Sequence, residues 1–434
     1  MSRYNSSNKN DDEIIQCIWD DDVTRFQTLL RKYPDLLNTS RATFDLYPSY
    51  IMSGIANSKI SPNGQTILHL IAFYDAIDIL LYILKAKRVD SKKADLFYTK
   101  NVEDYLPIHL ACYGASFNVV SLILNYCPEL AKYEIPSHYQ LLALATYAQS
   151  PEIIDILFSY GLDPESKFNR YSDEKHPLPI KIAIQYQDIG CIRSLLKGGN
   201  RSRQSHSSLL IEALRQYCFD AIPLLLAAHE DPEEVVFQQM MNQTAVYTCP
   251  LSAACFHGPD ATDAIRHIVS KISGSLLPVS SNPLDGGPAH WIAKSKSVEV
   301  ARIFASRGFD PNYRDYRGNS AINALIARKN TLENMKGILD IYLEQGLNLN
   351  EEYDSQKNFE PHIMAVLRID KTTENYKFQL IEWFAKNGQS LDIKCNKKKQ
   401  TLKQYILENM KKRSDEIFGY FEKAKKQNED PTAI

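Results

Sequence analysis

The sequence predicts an all-α fold, a solenoid of stacked helix pairs with short β-turn or hairpin fingers between them. Three observations lead there. A short apolar segment holding a small residue recurs along the 434 residues. A second, amphipathic helical segment follows it. A turn with glycine or an Asn/Asp-Pro signal then precedes the next copy. Such a pair has apolar surface on more than one side, so it is stable only when neighbours cover it.

Taken in order, residues 1–11 are polar and read as a disordered tail. The stretch 12–37, which includes IIQCIWDDDVTRFQTLLRKYPDLL, has the form of an N-terminal capping pair. First-helix segments follow as TILHLIA at 66–72, LPIHLA at 106–111, LPIKIA at 178–183, CPLSAA at 249–254, GPAHWIA at 287–293 and SAINAL at 320–325. Weaker copies are QLLALA at 140–145, SLLIEA at 208–213, EPHIMA at 360–365 and QTLKQY at 400–405. Second helices include NVVSLIL at 118–124, EIIDILF at 152–158, IGCIRSLL at 189–196, VEVARIF at 298–304 and MKGILDIYL at 335–343. Ala72, Ala111, Ala145, Ala183 and Ala293 are small enough to let helices approach closely. Gly161, Gly308, Gly346 and Gly388 fall just after second helices, where a left-handed C-cap favours glycine.

These segments resemble the ankyrin repeat. The T-P-L-H-x-A signature is carried by Thr66, Leu68 and His69, by Pro107, His109 and Ala111, and by Pro288 and His290. GFDPNYRDYRGNS at 308–320 matches the family's G-A-D-x-N-x-x-D-x-x-G-x-T turn. The resemblance covers about residues 12–424 and implies some ten to eleven degenerate repeats. It also implies a structural histidine that bonds the turn backbone of its own or the next repeat, and a concave groove that takes a protein partner. Spacings between equivalents of the motif histidine run from 30 to 41 residues, against about 33 for the family, so loops must vary.

The expected organisation is an array over 12–272 with insertions at 38–63, 85–103 and 230–248, and a second sub-array over 288–424. The Ser/Pro/Gly-rich stretch 273–287 suggests a break near 280. The polar stretch 403–426 reads as a C-terminal cap with a wet face, followed by a polar tail at 425–434.

Composition limits the function classes. Lys+Arg number 50 against Asp+Glu 52, for a net charge of -2 and a pI near 6.6. No global basic field exists to hold nucleic acid, although a local patch remains open. No apolar run reaches the length of a membrane span, and the N-terminus carries no apolar signal core. The eight cysteines form no CxxC pair and sit mostly among apolar residues, which points to reduced thiols in a cytoplasmic setting. A monomer is expected.

Motifs of chemistry are sparse. There is no phosphate loop, no GxGxxG after a strand, no HExxH and no GxSxG. Cys249, Cys255, His257 and His267 have ligand types that suit zinc, but their spacing is that of no common finger, and structural thiols are the better reading. Cys112 near His109 is explained by packing. Asp20, Asp21 and Asp22 sit between two helices and read as helix-start residues. No cofactor, metal or catalytic residue is expected. The partner-binding candidates are Tyr313, Arg314, Tyr316 and Arg317 in one finger, and Tyr98 and Tyr105 in another, because Tyr and Arg dominate interface hot spots. The C-terminal Thr-x-Ile has the form of a strand-adding ligand. The function expected is a scaffold that binds a partner protein. The alternative is an effector delivered to a host cytoplasm, with activity hidden in the irregular stretches 38–63, 230–290 or 350–434.

Overall fold

A computed structural model describes residues 8–37, 44–45, 60–86, 94–133, 140–163, 178–199, 208–241, 244–276, 286–315, 317–328, 330–357, 359–369 and 374–429. The chain divides into two compact units, Met1–Ser205 and His206–Ile434.

The first unit contains α1 (Asn8–Trp19), α2 (Val23–Lys32), α3 (Ile67–Phe73), α4 (Ile77–Ala86), α5 (Pro107–Tyr113), α6 (Phe117–Tyr126), α7 (Leu141–Tyr147), α8 (Pro151–Ser159), α9 (Pro179–Gln185) and α10 (Ile189–Lys197). Odd-numbered helices pack on one another in sequence, and so do even-numbered helices, which makes two layers. Apolar residues from both layers meet between them: Leu68, Ile71, Ile79, Ile108, Leu142 and Ile180 are all buried. Ala72, Ala111, Ala145 and Ala183 are buried at equivalent points of successive first helices, where a larger side chain would hold the helices apart.

The second unit repeats the scheme with α11 (Leu209–Arg215), α12 (Ile222–Ala227), β1 (Val236–Met241), β2 (Thr244–Thr248), α13 (Pro250–Cys255), α14 (Thr262–Lys271), α15 (Pro288–Ser295), α16 (Val298–Ala305), α17 (Ala321–Ala327), α18 (Leu332–Glu344), α19 (His362–Leu367), α20 (Glu374–Lys386), α21 (Leu402–Asn409) and α22 (Ser414–Glu429). Helices α11, α13, α15, α17 and α19 stack in one layer, and α12, α14, α16, α18, α20 and α22 in the other. Each unit is therefore an all-α repeat solenoid.

The sequence boundaries differ from the structure in four places. Helix α1 opens at Asn8, inside the stretch expected as a tail, and α22 runs to Glu429 through the first half of the second tail. The units divide near residue 205, and residues 277–285, where a break was expected, lie outside the described residues. Part of the expected insertion at 230–248 is an antiparallel hairpin, with Val236 opposite Thr248 and a bulge between Phe237 and Gln239. Val, Phe, Tyr and Thr in that segment favour extended backbone. Of the insertion at 38–63, only Phe44, Asp45 and the residues from Ile60 are described; Phe44 bridges Gln65 and Ile60 is buried.

The turns inside the pairs hold a feature that sequence reading passed over. Asp21, Asp75, Ala115, Gln149, Gln187, Tyr217 and Lys296 all have positive φ, between 48° and 58°. Each sits between the two helices of a pair, where the left-handed region favours glycine and costs other residues about 1 kcal/mol. Asp21 and Asp75 offset this by holding the neighbouring pair. The Asp21 carboxylate accepts from the amides of Asp78 and Ile79, each at 2.9 Å, at the start of α4. The Asp75 carboxylate accepts from the Val119 amide at 2.9 Å and the Asn118 amide side chain at 2.8 Å, at the start of α6. Asp22 caps its own helix by accepting from the Arg25 amide, so the acidic turn does start helices as expected. Lys296 is exposed, and only its backbone is used: the amide donates to the Ile292 carbonyl and the carbonyl accepts from Asn334, bonds that glycine would keep. Lys296→Gly should raise stability by about 0.5–1 kcal/mol, read as a higher midpoint in urea unfolding; an unchanged or lower midpoint would contradict the strain argument.

Candidate partner-binding surface

Fingers connect each second helix to the next first helix, and one motif builds several of them. An Asx side chain closes the turn by accepting backbone amides two to four residues on. Asn101 accepts from Glu103 and Tyr105, Asp315 from Arg317 and Asn319, Asp354 from Gln356 and Lys357, and Asn396 from Lys398 and Gln400.

Asparagines also bind successive fingers. Asn312 donates to the Gly346 carbonyl at 2.9 Å and accepts from the Asn348 amide at 2.8 Å. One repeat later Asn350 donates to the Gly388 carbonyl at 3.0 Å and accepts from the Ser390 amide at 2.6 Å. Gly161, Gly308, Gly346 and Gly388 have φ between 79° and 94°, the left-handed caps that the sequence required.

The motif histidines hold the fingers to the first helices. His69 is fully buried; Thr66 Oγ1 donates to its Nδ1 at 2.7 Å, and its Nε2 donates to the Tyr105 carbonyl of the next repeat at 2.9 Å. His290 Nε2 reaches the Asn319 carbonyl in the same way at 3.1 Å, and His109 Nδ1 accepts from the Leu106 amide at 3.2 Å. A helix pair, a left-handed glycine, an Asx finger and a histidine bridging to the following finger now stand together. The repeats are ankyrin-like.

Comparison with known proteins adds one finding. No family model and no curated protein matches the chain. Among solved structures, the human ASB11 ankyrin repeat domain is similar at 16% identity, over 63% of this chain and 96% of that one, with a TM-score of 0.31. The bonding pattern within the ankyrin-like repeats, not this superposition, is what defines the fold.

The ankyrin-like fingers place the candidate residues differently from one another. Arg314 is turned inward with a side chain only 5% exposed; it pairs with Glu351 of the following finger, and Phe359 lies 5.7 Å from its guanidinium. Tyr105 is 3% exposed and packs its ring 5.5 Å from that of His109. Neither offers area to a partner, because both are used between adjacent repeats. Tyr98 is 40% exposed, and its hydroxyl donates to Glu129, a bond that raises the phenol's pKa and lowers that of the carboxyl. Tyr313 is half-buried, edge-on to His290 at 6.3 Å, and Arg317 is exposed. Tyr316 lies outside the described residues, as do the five C-terminal ones.

A second set of side chains stands exposed in each unit. Aromatic residues stand at the far ends of the first helices and in the turns just beyond. In the first unit Trp19 stacks on Tyr74 at 5.3 Å, Phe73 meets Tyr113 at 6.1 Å, and Tyr147 meets Tyr186 at 6.2 Å. In the second unit Tyr217, 61% exposed, contacts His257 at 4.7 Å. Phe256 is 55% exposed, with Lys294 4.5 Å and Arg328 5.5 Å from its ring. The signal lies four to six residues after His69, His109, Ala143, Lys181, Ile211 and Ser252, which stand at equivalent places in their first helices.

The possible chemical sites look different in space. All eight cysteines are buried and none is in a disulfide. Burial pushes the thiols of Cys17, Cys127 and Cys395 up to about 11, and that of Cys112 further, which disfavours the nucleophilic thiolate. Cys249 Sγ accepts from the Ser252 amide at the start of α13, and His257 packs against Tyr217 and Phe219. Among the described residues, no group of three or more His, Cys, Asp or Glu is placed to hold a metal ion. No helix among them is long and apolar enough to cross a membrane.

Proposed function

We propose that the chain is a scaffold that captures a partner protein on the surface made by its fingers and the far ends of its first helices. The observation that carries this is a set of exposed aromatics at that end of the first helices in each unit, taken separately. Trp19, Tyr186, Tyr217 and Phe256 are each 45% exposed or more, while the same sequence buries apolar side chains of similar size nearby. Such residues bury large rigid area at small entropic cost and anchor interfaces. Rigid stacking fixes them before the partner arrives, which reduces the ordering cost of binding.

The test begins with proximity labelling to identify the partner, followed by binding between purified proteins. Tyr217→Ser with Phe256→Ser, and separately Tyr313→Ala with Arg317→Ala, should each weaken binding by about tenfold or more. Stability should change by less than about 1 kcal/mol, since these groups are largely at the surface. Arg314 is left intact because its loss would strand Glu351 and lower stability for an unrelated reason. Unaltered affinity in both pairs would remove this surface from the reading.

A further inference from the structure

The finger that leads into α21 carries a dense block of one charge. Lys394, Lys397, Lys398, Lys399 and Lys403 stand within ten residues and all are exposed; Asp392 is the only acid between 391 and 404. The tip is a closed turn. The Cys395 amide donates to the Gln400 carbonyl at 3.0 Å, the Lys399 amide to the Asn396 carbonyl at 2.9 Å, and Lys394 bridges Thr401. Two carboxylates border the tip and bond neutral groups of it: Glu352 accepts from the Lys394 backbone amide and Glu408 from the Gln400 side chain. None of the five lysines forms an ion pair with a described carboxylate.

We propose that this lysine tip seats the chain on an anionic phospholipid surface. Three features select that occupant. The cations are all lysines, compact hydrated charges on flexible stems, whereas a single phosphate or carboxylate is better gripped by the fork of arginine. The tip is a tight projecting turn, suited to a broad charged plane. No aromatic residue lies between Ser390 and Gln404 to stack on nucleic-acid bases. Clusters of four to eight basic residues bind acidic leaflets by summed attraction, without insertion. This goes beyond partner capture and uses different residues.

The experiment is co-sedimentation of the full chain with phosphatidylcholine–phosphatidylserine vesicles and with pure phosphatidylcholine vesicles. Binding to the first and not the second is expected, and it should fall as salt is raised. The triple variant Lys397→Glu, Lys398→Glu, Lys399→Glu should lose binding by about a hundredfold. Lys397→Gln, Lys398→Gln, Lys399→Gln should lose less, and both variants should keep the wild-type circular dichroism melt. Equal sedimentation of wild type and the glutamate variant would overturn the proposal. So would equal binding to both vesicle types, or binding to poly-glutamate or duplex DNA with none to vesicles.

Discussion

Replacing Leu68 with aspartate should unfold much of the first unit. Leu68 lies in α3, only 4% exposed, in the layer where α3 packs against α1 and α5. Losing its side chain alone costs about 2–5 kcal/mol. A carboxylate there adds several more, because it must either lose its water or take up a proton. Domain stabilities of about 5–15 kcal/mol leave little margin. Repeat stacks gain stability from their neighbours, so the damage spreads to the adjoining pairs. A helical signal by circular dichroism that melts at the wild-type midpoint would contradict the assigned core.

Acid should destabilise both units well before ordinary carboxylates titrate. Burial holds His69 down to about 4 in the first unit; burial and the nearby Arg314 guanidinium hold His362 down to about 3 in the second. Glu351 lies 3.5 Å from His362 without restoring its basicity. An unfolded histidine titrates near 6.5. Above that value both states are neutral and the contribution to stability is complete. As pH falls from about 6.5 toward each folded value, only the unfolded chain gains the proton, so stability is lost. The loss reaches about 3 kcal/mol through His69 by pH 4 and about 4–5 kcal/mol through His362 by pH 3. His290 acts in the same direction; the raised carboxyls of Asp11 and Asp21 act in the opposite one. Urea unfolding across that window should show falling midpoints, with a shallower fall in His69→Gln. A flat profile would show that these rings are wet.

What the sequence made legible was everything repeated. The helix pairs, the glycine caps and the histidine bonds of His69 and His290 follow from residues that recur from copy to copy. Arg314 was not legible as a buried group, because its partner Glu351 stands 37 residues on, about one repeat away. A finger residue is as close to the next finger as to solvent, and sequence alone does not choose between them. The burial of Tyr105 was not legible for the same reason: its carbonyl and ring both serve histidines of the first helices. The hairpin at 236–248 broke the repeat, so periodicity gave no guide to it. The left-handed turns escaped notice because Asp, Gln, Tyr and Lys stand where glycine would have announced them.

The carboxylates of Asp21 and Asp75 both point the same way along the chain. Each reaches forward in the chain to a helix that emerges later from the ribosome, and neither reaches back. The earlier segment thus presents a carboxylate on which the start of the later helix docks. Trimming from the amino end removes the anchor and returns the helix-start amides to water, and removing the later helix returns the carboxylate to water.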